Sequence, residues 1–186
     1  MNNLKRIILS LMFCFSSLVC FSQFNNSGAS KNLTGVQLGF TNSGIYDEWR
    51  ITNDFVLRGD FMFNSALWGG SFYPKTGFAL YPAIGVTPKY YYNFNRRLDK
   101  RKNIHNNSAN YIAPGFSYTP NWFIISNEKN IEVSNFITII PSYGIRRNFA
   151  QNFNYEAKFG LGYGKDLDTR ESSAILQLGI SIGYDF

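Results

Sequence analysis

After Cys20 the chain has no cysteine, and its other cysteine, Cys14, lies in the same N-terminal stretch. If that stretch is removed, disulfides and thiolate chemistry are both excluded. His105 is the single histidine, so no histidine cluster can hold a metal. No segment beyond the N-terminus approaches the ~20 apolar residues of a spanning helix. No phosphate loop, nucleotide fingerprint or nucleic-acid module occurs. Net charge is +6, or +4 without Lys5 and Arg6. That excess is too small to argue for a nucleic-acid partner. Neither a cofactor nor a metal is expected.

Aromatic residues, by contrast, are plentiful at 18%, with 18 Phe and 12 Tyr. The start, MNNLKRIILSLMFCFSSLVCFSQ, has a short basic region and an apolar core from Ile7. Ser22 and Cys20 are small residues suited to cleavage before Gln23. Residues 1–22 are therefore expected to be a secretory signal peptide. A retained anchor fits less well, because Ser10, Ser16 and Ser17 break the run. A lipoprotein site fits poorly, with Ser17 and bulky Val19 ahead of Cys20. Residues 23–31, QFNNSGASK, read as a polar linker, and 32–186 as one domain.

From residue 32 a period of two keeps returning. Eight strands are expected at 32–41, 44–52, 55–64, 78–94, 110–120, 134–147, 152–164 and 173–186. In the seventh, Phe153, Tyr155, Phe159, Leu161 and Tyr163 alternate with Asn154, Glu156, Lys158, Gly160, Gly162 and Gly164. One face is apolar and aromatic, while the other is small or polar with few charges. A soluble sandwich would place Lys, Glu and Thr outside and bulky side chains inside. The observed contrast suits a narrow barrel, whose small inward residues leave room for a few long polar ones. The aromatic-rich face then meets lipid, and a sheet in lipid must close on itself. The expected fold class is all-β, a closed antiparallel eight-stranded transmembrane β-barrel.

The connections fit that arrangement with one exception, the long connection 95–109 on the side of the tight turns. Thr52-Asn53-Asp54 and Ala150-Gln151 are tight turns, whereas 65–77, 121–133 and 165–172 are long. Short turns belong on the periplasmic side and long loops outside, with both termini periplasmic. Aromatics gather at strand ends, as an interfacial girdle requires. Phe55, Tyr90, Tyr92, Phe94, Phe153, Tyr155, Tyr184 and Phe186 form one ring. Phe63, Phe78, Tyr118, Trp122 and Tyr163 form the other.

The last strand, SAILQLGISIGYDF, alternates Leu176, Leu178, Ile180, Ile182, Tyr184 and Phe186 with small or polar residues. Ending on Phe186, with Gly183 among the inward positions, it resembles the C-terminal assembly signal of Gram-negative outer-membrane barrels. The chain from 32 to 186 is similar in character to small eight-stranded barrels, such as the transmembrane domain of outer membrane protein A and the opacity-type adhesins. The resemblance implies an outer-membrane location and lipid contact. It also implies recognition of Gly183, Tyr184 and Phe186 by the barrel assembly machinery. A structural, adhesive or envelope-interaction role follows, with any surface ligand unnamed.

Inward charges by parity are Glu48, Arg50, Arg58, Asp60, Lys89, Arg146, Glu156, Lys158 and Asp185. They form either a binding site or ion path, or a network of mutual salt bridges filling the lumen. His105 with Ser108 three residues on raises the possibility of a lipid hydrolase, as in outer-membrane lipid A deacylases and phospholipases. Both sit in a polar connection without an orienting carboxylate other than Asp99, so a solvated loop histidine is the simpler expectation and no catalytic residue is assigned. The same connection, 95–109, carries Arg96, Arg97, Lys100, Arg101 and Lys102. It reads as a solvated turn or as a contact for anionic lipid. Asn106-Asn107-Ser108 has the form of a glycosylation acceptor, which carries no weight in a bacterium.

Prolines are the remaining oddity. Pro82, Pro88, Pro114, Pro120 and Pro141 all fall on lipid-facing positions of the fourth to sixth strands, where each removes a ladder donor. They mark bulges, or else a weak sector for lateral passage of small apolar or lipidic molecules. The latter would resemble the proline-interrupted openings of some outer-membrane lipid enzymes and hydrophobic-solute channels.

Overall fold

The computed structural model describes residues 28–70, 76–128 and 131–186. Residues 1–22, read above as a signal peptide, and most of the linker lie outside the described residues. The strands are β1 (Asn32–Gly39), β2 (Asn42–Arg50), β3 (Phe55–Trp68), β4 (Gly77–Tyr90), β5 (Asn110–Thr119), β6 (Ile125–Ser126), β7 (Phe136–Phe149), β8 (Phe153–Asp166) and β9 (Ser172–Asp185). One short helix, α1 (Phe94–Asp99), follows β4.

Eight of these strands form the wall, in the order β3-β2-β1-β9-β8-β7-β5-β4, and β3 pairs back to β4. All pairings are antiparallel. The last strand closes on the first, with Leu38 opposite Ile182 and Gly35 opposite Asp185. No wall strand is left with an open edge, so most of the backbone pairs within the wall. The termini and the β2–β3, β4–β5 and β7–β8 connections share one end, here called proximal. The longer connections lie at the distal end.

Alternation decides what each face does. On β9, Leu178 is 65% and Ile180 73% exposed, whereas Ser181 and Asp185 are buried. Leu38, Ile45, Phe159 and Leu161 continue the outward apolar band around the wall. Leaving such side chains in water forgoes about 1.5–3 kcal/mol each. A contiguous band of them around a closed sheet is the surface of a membrane-spanning barrel.

Inside, glycine makes room for length. A Cβ at Gly35 would strike the Tyr46 ring, one at Gly144 the Tyr111 ring, one at Gly179 the Lys158 stem and one at Gly183 the Asn154 amide. The small inward residues expected from the sequence thus face the long ones across the ladder.

Several boundaries differ from expectation. The fourth strand stops at Tyr90, where the chain turns and enters α1. Phe94 is consequently no girdle residue. It is buried and stacks on Tyr91 with ring centroids 5.1 Å apart. β7 runs two residues further than expected, to Phe149, and β6 was not anticipated. The visible end of the linker is not free either. Ala29 is buried, its N–H donates to Asn53 O at 2.7 Å, and Ser30 N–H donates to Asn107 Oδ1 at 2.7 Å.

The prolines divide into two groups. Pro114 and Pro141 face outward and are exposed, side by side across β5 and β7. Pro88, half-buried, continues their row. The β4–β5 ladder has no pairing across Thr87, Pro88 and Lys89, between the Val86–Phe116 and Tyr90–Ile112 pairs. A second gap, at Ile140 and Pro141, interrupts β7–β8. Pro82 and Pro120 differ from expectation: both are fully buried rather than lipid-facing. The cause is a bulge, in which four steps along β4, Ile84 to Leu80, match seven along the partner, Tyr118 to Ile125. The excess chain carries Phe123 to within 6.2 Å of Phe63, the cross-strand neighbour of Pro82.

Candidate functional site

The proximal half of the lumen is crossed by a polar network to which every wall strand contributes. Gln37 comes from β1, Glu48 from β2, Arg58 from β3, Lys89 from β4, Tyr111 from β5, Arg146 from β7, Glu156 from β8 and Asp185 from β9. All are buried. Lys89 Nζ donates to Glu48 Oε1 at 2.8 Å and to Glu156 Oε1 at 2.9 Å. Arg58 Nη1 lies 3.2 Å from Glu156 and 3.5 Å from Glu48, while its Nη2 donates to Gln37 Oε1 at 2.7 Å. Arg146 Nη2 donates to Asp185 Oδ1 at 2.6 Å and to Tyr46 OH at 3.0 Å.

Three cations thus meet three carboxylates, and neutral donors take most of the remaining carboxylate oxygens. Tyr111 OH donates to Glu156, Tyr91 OH to Glu48 at 3.3 Å, and Asn154 Nδ2 to Asp185 at 3.1 Å. Arg58 also lies over the Tyr46 ring, 4.0 Å from its centroid. Among the described residues, Arg146 Nη1 is the one buried side-chain polar atom without a hydrogen bond, at 3.8 Å from Glu156 and 4.0 Å from Glu48.

Six of the nine charges read as inward from parity enter this network: Glu48, Arg58, Lys89, Arg146, Glu156 and Asp185. The other three stand apart. Arg50 is a correction, since Nη1 donates to Ala29 O at 3.0 Å near the proximal rim and makes no ion pair. Among the described residues, Asp60 makes one ion pair, with Arg58 Nε at 3.6 Å, and Lys158 faces the lumen without one. Parity alone would have found Gln37, Tyr46 and Asn154 had polar neutral residues been counted with the charges.

The connection 95–109 divides in two: its basic first half is exposed apart from half-buried Arg97, as a solvated turn would be, and its second half is not. Its second half folds into the proximal mouth. Asn107 is fully buried and donates from Nδ2 to Glu48 Oε2 at 2.7 Å. Asn106 O accepts from Arg146 Nε at 3.0 Å. Both asparagines adopt left-handed φ, 48° and 59°, which asparagine tolerates better than most residues. This plug could not be read from alternation, because it has none. His105 remains exposed, as expected. Ser108 is buried, and its Oγ accepts from Asn148 N–H at 3.1 Å, so the two side chains form no catalytic pair.

The first half of that connection carries the basic cluster. Arg96, Arg97, Lys100 and Lys102 surround a shallow depression of about 180 Å³, joined by Arg147 from β7, which the sequence reading missed. Arg101 lies outside it. Arg97 donates to Asn103 O at 2.6 Å. Burial, and then the neighbouring Arg147 charge, lowers Arg97 from the ordinary arginine value.

At the C-terminus, Gly183 packs on Asn154, Tyr184 faces outward, and Phe186 is 74% exposed with its N–H donating to Thr34 O at 2.9 Å. Above the network the distal lumen opens into a cavity of about 550 Å³. Among the described residues no three His, Cys, Asp or Glu side chains gather as a metal site.

No family model and no curated protein matches the chain. Among solved structures, it is similar to the N-terminal β-barrel domain of Pseudomonas aeruginosa OprF, at 14% identity and a TM-score of 0.45, over 83% of this chain and 96% of that one. The strand pairing of this chain, rather than that likeness, establishes its closed barrel.

Proposed function

We propose that the protein is an integral outer-membrane barrel with a structural, adhesive or envelope-interaction role, closed to ions at its periplasmic half. The observation that carries this reading is the buried network drawn from all eight wall strands, capped by Asn106 and Asn107. The proximal end is the periplasmic one in this reading, because it holds both termini of the barrel and its tight turns. Lipid is the partner of the apolar band. The barrel assembly machinery is the partner of the last strand through Gly183, Tyr184 and Phe186. The cluster of Arg96, Arg97, Lys100 and Lys102 with Arg147 is suited to anionic head groups. Cell fractionation tests the location: recovery with outer membranes, resistant to alkali, supports it, and a folded protein in the soluble periplasm contradicts it.

A second reading, binding or lateral passage of a small apolar or lipidic molecule, draws support from the interrupted β4–β5 ladder beside the distal cavity. A lipid-hydrolysing role draws no support from His105, which is exposed while Ser108 is buried.

A further inference from the structure

The distal cavity, about 550 Å³, falls within the roughly 300–1,000 Å³ of small-molecule sites. Met62, Tyr81, Phe136, Ile140 and Ile175 give it apolar walls, and Lys158 stands at its floor. Arg58, Lys89 and Arg146 each hold a carboxylate. Among the described residues Lys158 has neither an ion pair nor a hydrogen bond. Its stem lies over Gly179, where a Cβ would come within 2.9 Å of Lys158 Cγ. Asp60, also on the floor, is engaged by Arg58. An ammonium in a partly dehydrated lumen, with Glu156 and Asp60 in its surroundings but no carboxylate within 4 Å among the described residues, leaves room for an anion beside it.

The wall beside this cavity is interrupted. Ile84 and Phe116 belong to the outward face, exposed by 38% and 43%, yet both line the cavity. They lie next to the gap in the β4–β5 ladder at Thr87–Lys89. Gly115, inside that gap, is not crowded: a Cβ there would make only ordinary contacts, with Ile140 O at 3.5 Å and Thr87 Oγ1 at 3.7 Å. Pro88 and Pro114 have no N–H, so the two strands part there with fewer donors left unsatisfied. At the distal rim, Glu132 and Asp166 also face the cavity. Acidic side chains there disfavour an anion arriving through the distal mouth.

We propose that the distal lumen binds a single-chain anionic amphiphile of the fatty-acid class, its carboxylate on Lys158 and its chain against Met62 and Ile140, taken from the bilayer through the β4–β5 gap. The proposal rests on the membrane-barrel reading above and on its second, lipid-binding form. Steady ion currents would remove the sealed-barrel reading alone, whereas absence of binding in a non-conducting barrel would remove this one alone.

The test uses the mature chain refolded in phosphatidylcholine nanodiscs and carboxyl-labelled palmitate, followed by the carboxyl NMR signal. Wild type should show saturable binding at one site. Lys158→Gln should weaken it by roughly tenfold or more, Lys158→Arg should largely retain it, and the uncharged alcohol of the same length should be indifferent to Lys158→Gln. Equal binding by wild type and Lys158→Gln, or no saturable site in wild type, overturns the proposal. The route is tested separately with Pro88→Cys and Pro114→Cys in one chain. Oxidation across the gap should slow uptake from the bilayer, and reduction should restore it. Uptake unchanged by oxidation overturns the lateral route.

Discussion

Lys89 Nζ meets Glu156 Oε1 at 2.9 Å across the lumen, from strands β4 and β8, which share no ladder. The contact ties opposite walls of the barrel together. It exists because alternation sends both side chains inward, where both are buried. Replacing Glu156 with Gln leaves Lys89, Arg58 and Arg146 sharing one carboxylate fewer. A loss of about 3–5 kcal/mol is expected, less where water reaches the site. Urea unfolding of the refolded barrel in lipid vesicles measures it. Asp60→Asn, at the edge of the network, should cost less than about 1 kcal/mol. Equal losses from the two variants would contradict the network as drawn.

Gly144 should resist substitution. A side chain there runs into Tyr111, itself bonded to Glu156. Gly144→Val should overpack the lumen by about 1–3 kcal/mol. Gly115→Ala, where a Cβ would make only ordinary contacts, should be near neutral. The midpoints of urea unfolding for the two variants decide it, and equal shifts would mean that the inward glycines are not matched to the long side chains.

Asn107 joins the plug to the network and to the N-terminal segment. Asn107→Ala removes its bonds to Glu48 and to Ser30 N–H. A loss of about 1–3 kcal/mol follows from leaving buried groups unpaired. Amides of residues 104–109 should exchange faster while β8 and β9 keep their protection. Unchanged exchange at 104–109 would show that the plug is held by something else.

Much of this was legible in the sequence, and the reason is period two. Leu176, Leu178, Ile180 and Ile182 announce a half-lipid, half-lumen strand without further information, and Glu48 and Glu156 follow as inward by counting. What alternation could not supply is whatever leaves the ladder. Asn106 and Asn107 act through a turn, Phe94 through a helix that ends β4 early, and Pro82 is covered by a bulge set by chain length between β5 and β6. Arg50 has inward parity but sits too close to the strand end to reach the carboxylates. Lys158 has the right face and the wrong depth.

Phe186 and Asp185, adjacent in sequence, should fail for different reasons. Asp185 is buried and paired with Arg146 at 2.6 Å, so Asp185→Asn should weaken the barrel wherever it folds. Phe186 is exposed. Deleting it should lower assembly in cells several-fold yet leave urea unfolding in synthetic bilayers little changed. A stability loss matching that of Asp185→Asn would remove the assembly-signal reading.

The row formed by Pro88, Pro114 and Pro141 should be the soft sector of the wall. Hydrogen exchange in nanodiscs should find the amides of Lys89, Ala113 and Gly115 faster than those of Ala157, Phe159 and Leu178, whose ladder is continuous. Uniform protection around the barrel would mean that the sector is as firmly held as the rest.

The sealed lumen is tested most directly by electrical recording. Purified mature protein is inserted into planar lipid bilayers under an applied potential. The ion pairs among Glu48, Arg58, Lys89, Arg146, Glu156 and Asp185, with Asn106 and Asn107 across the proximal mouth, predict no steady conductance from wild type and brief openings once Glu156→Gln is introduced. Large, stable single-channel currents from the wild type would contradict the account.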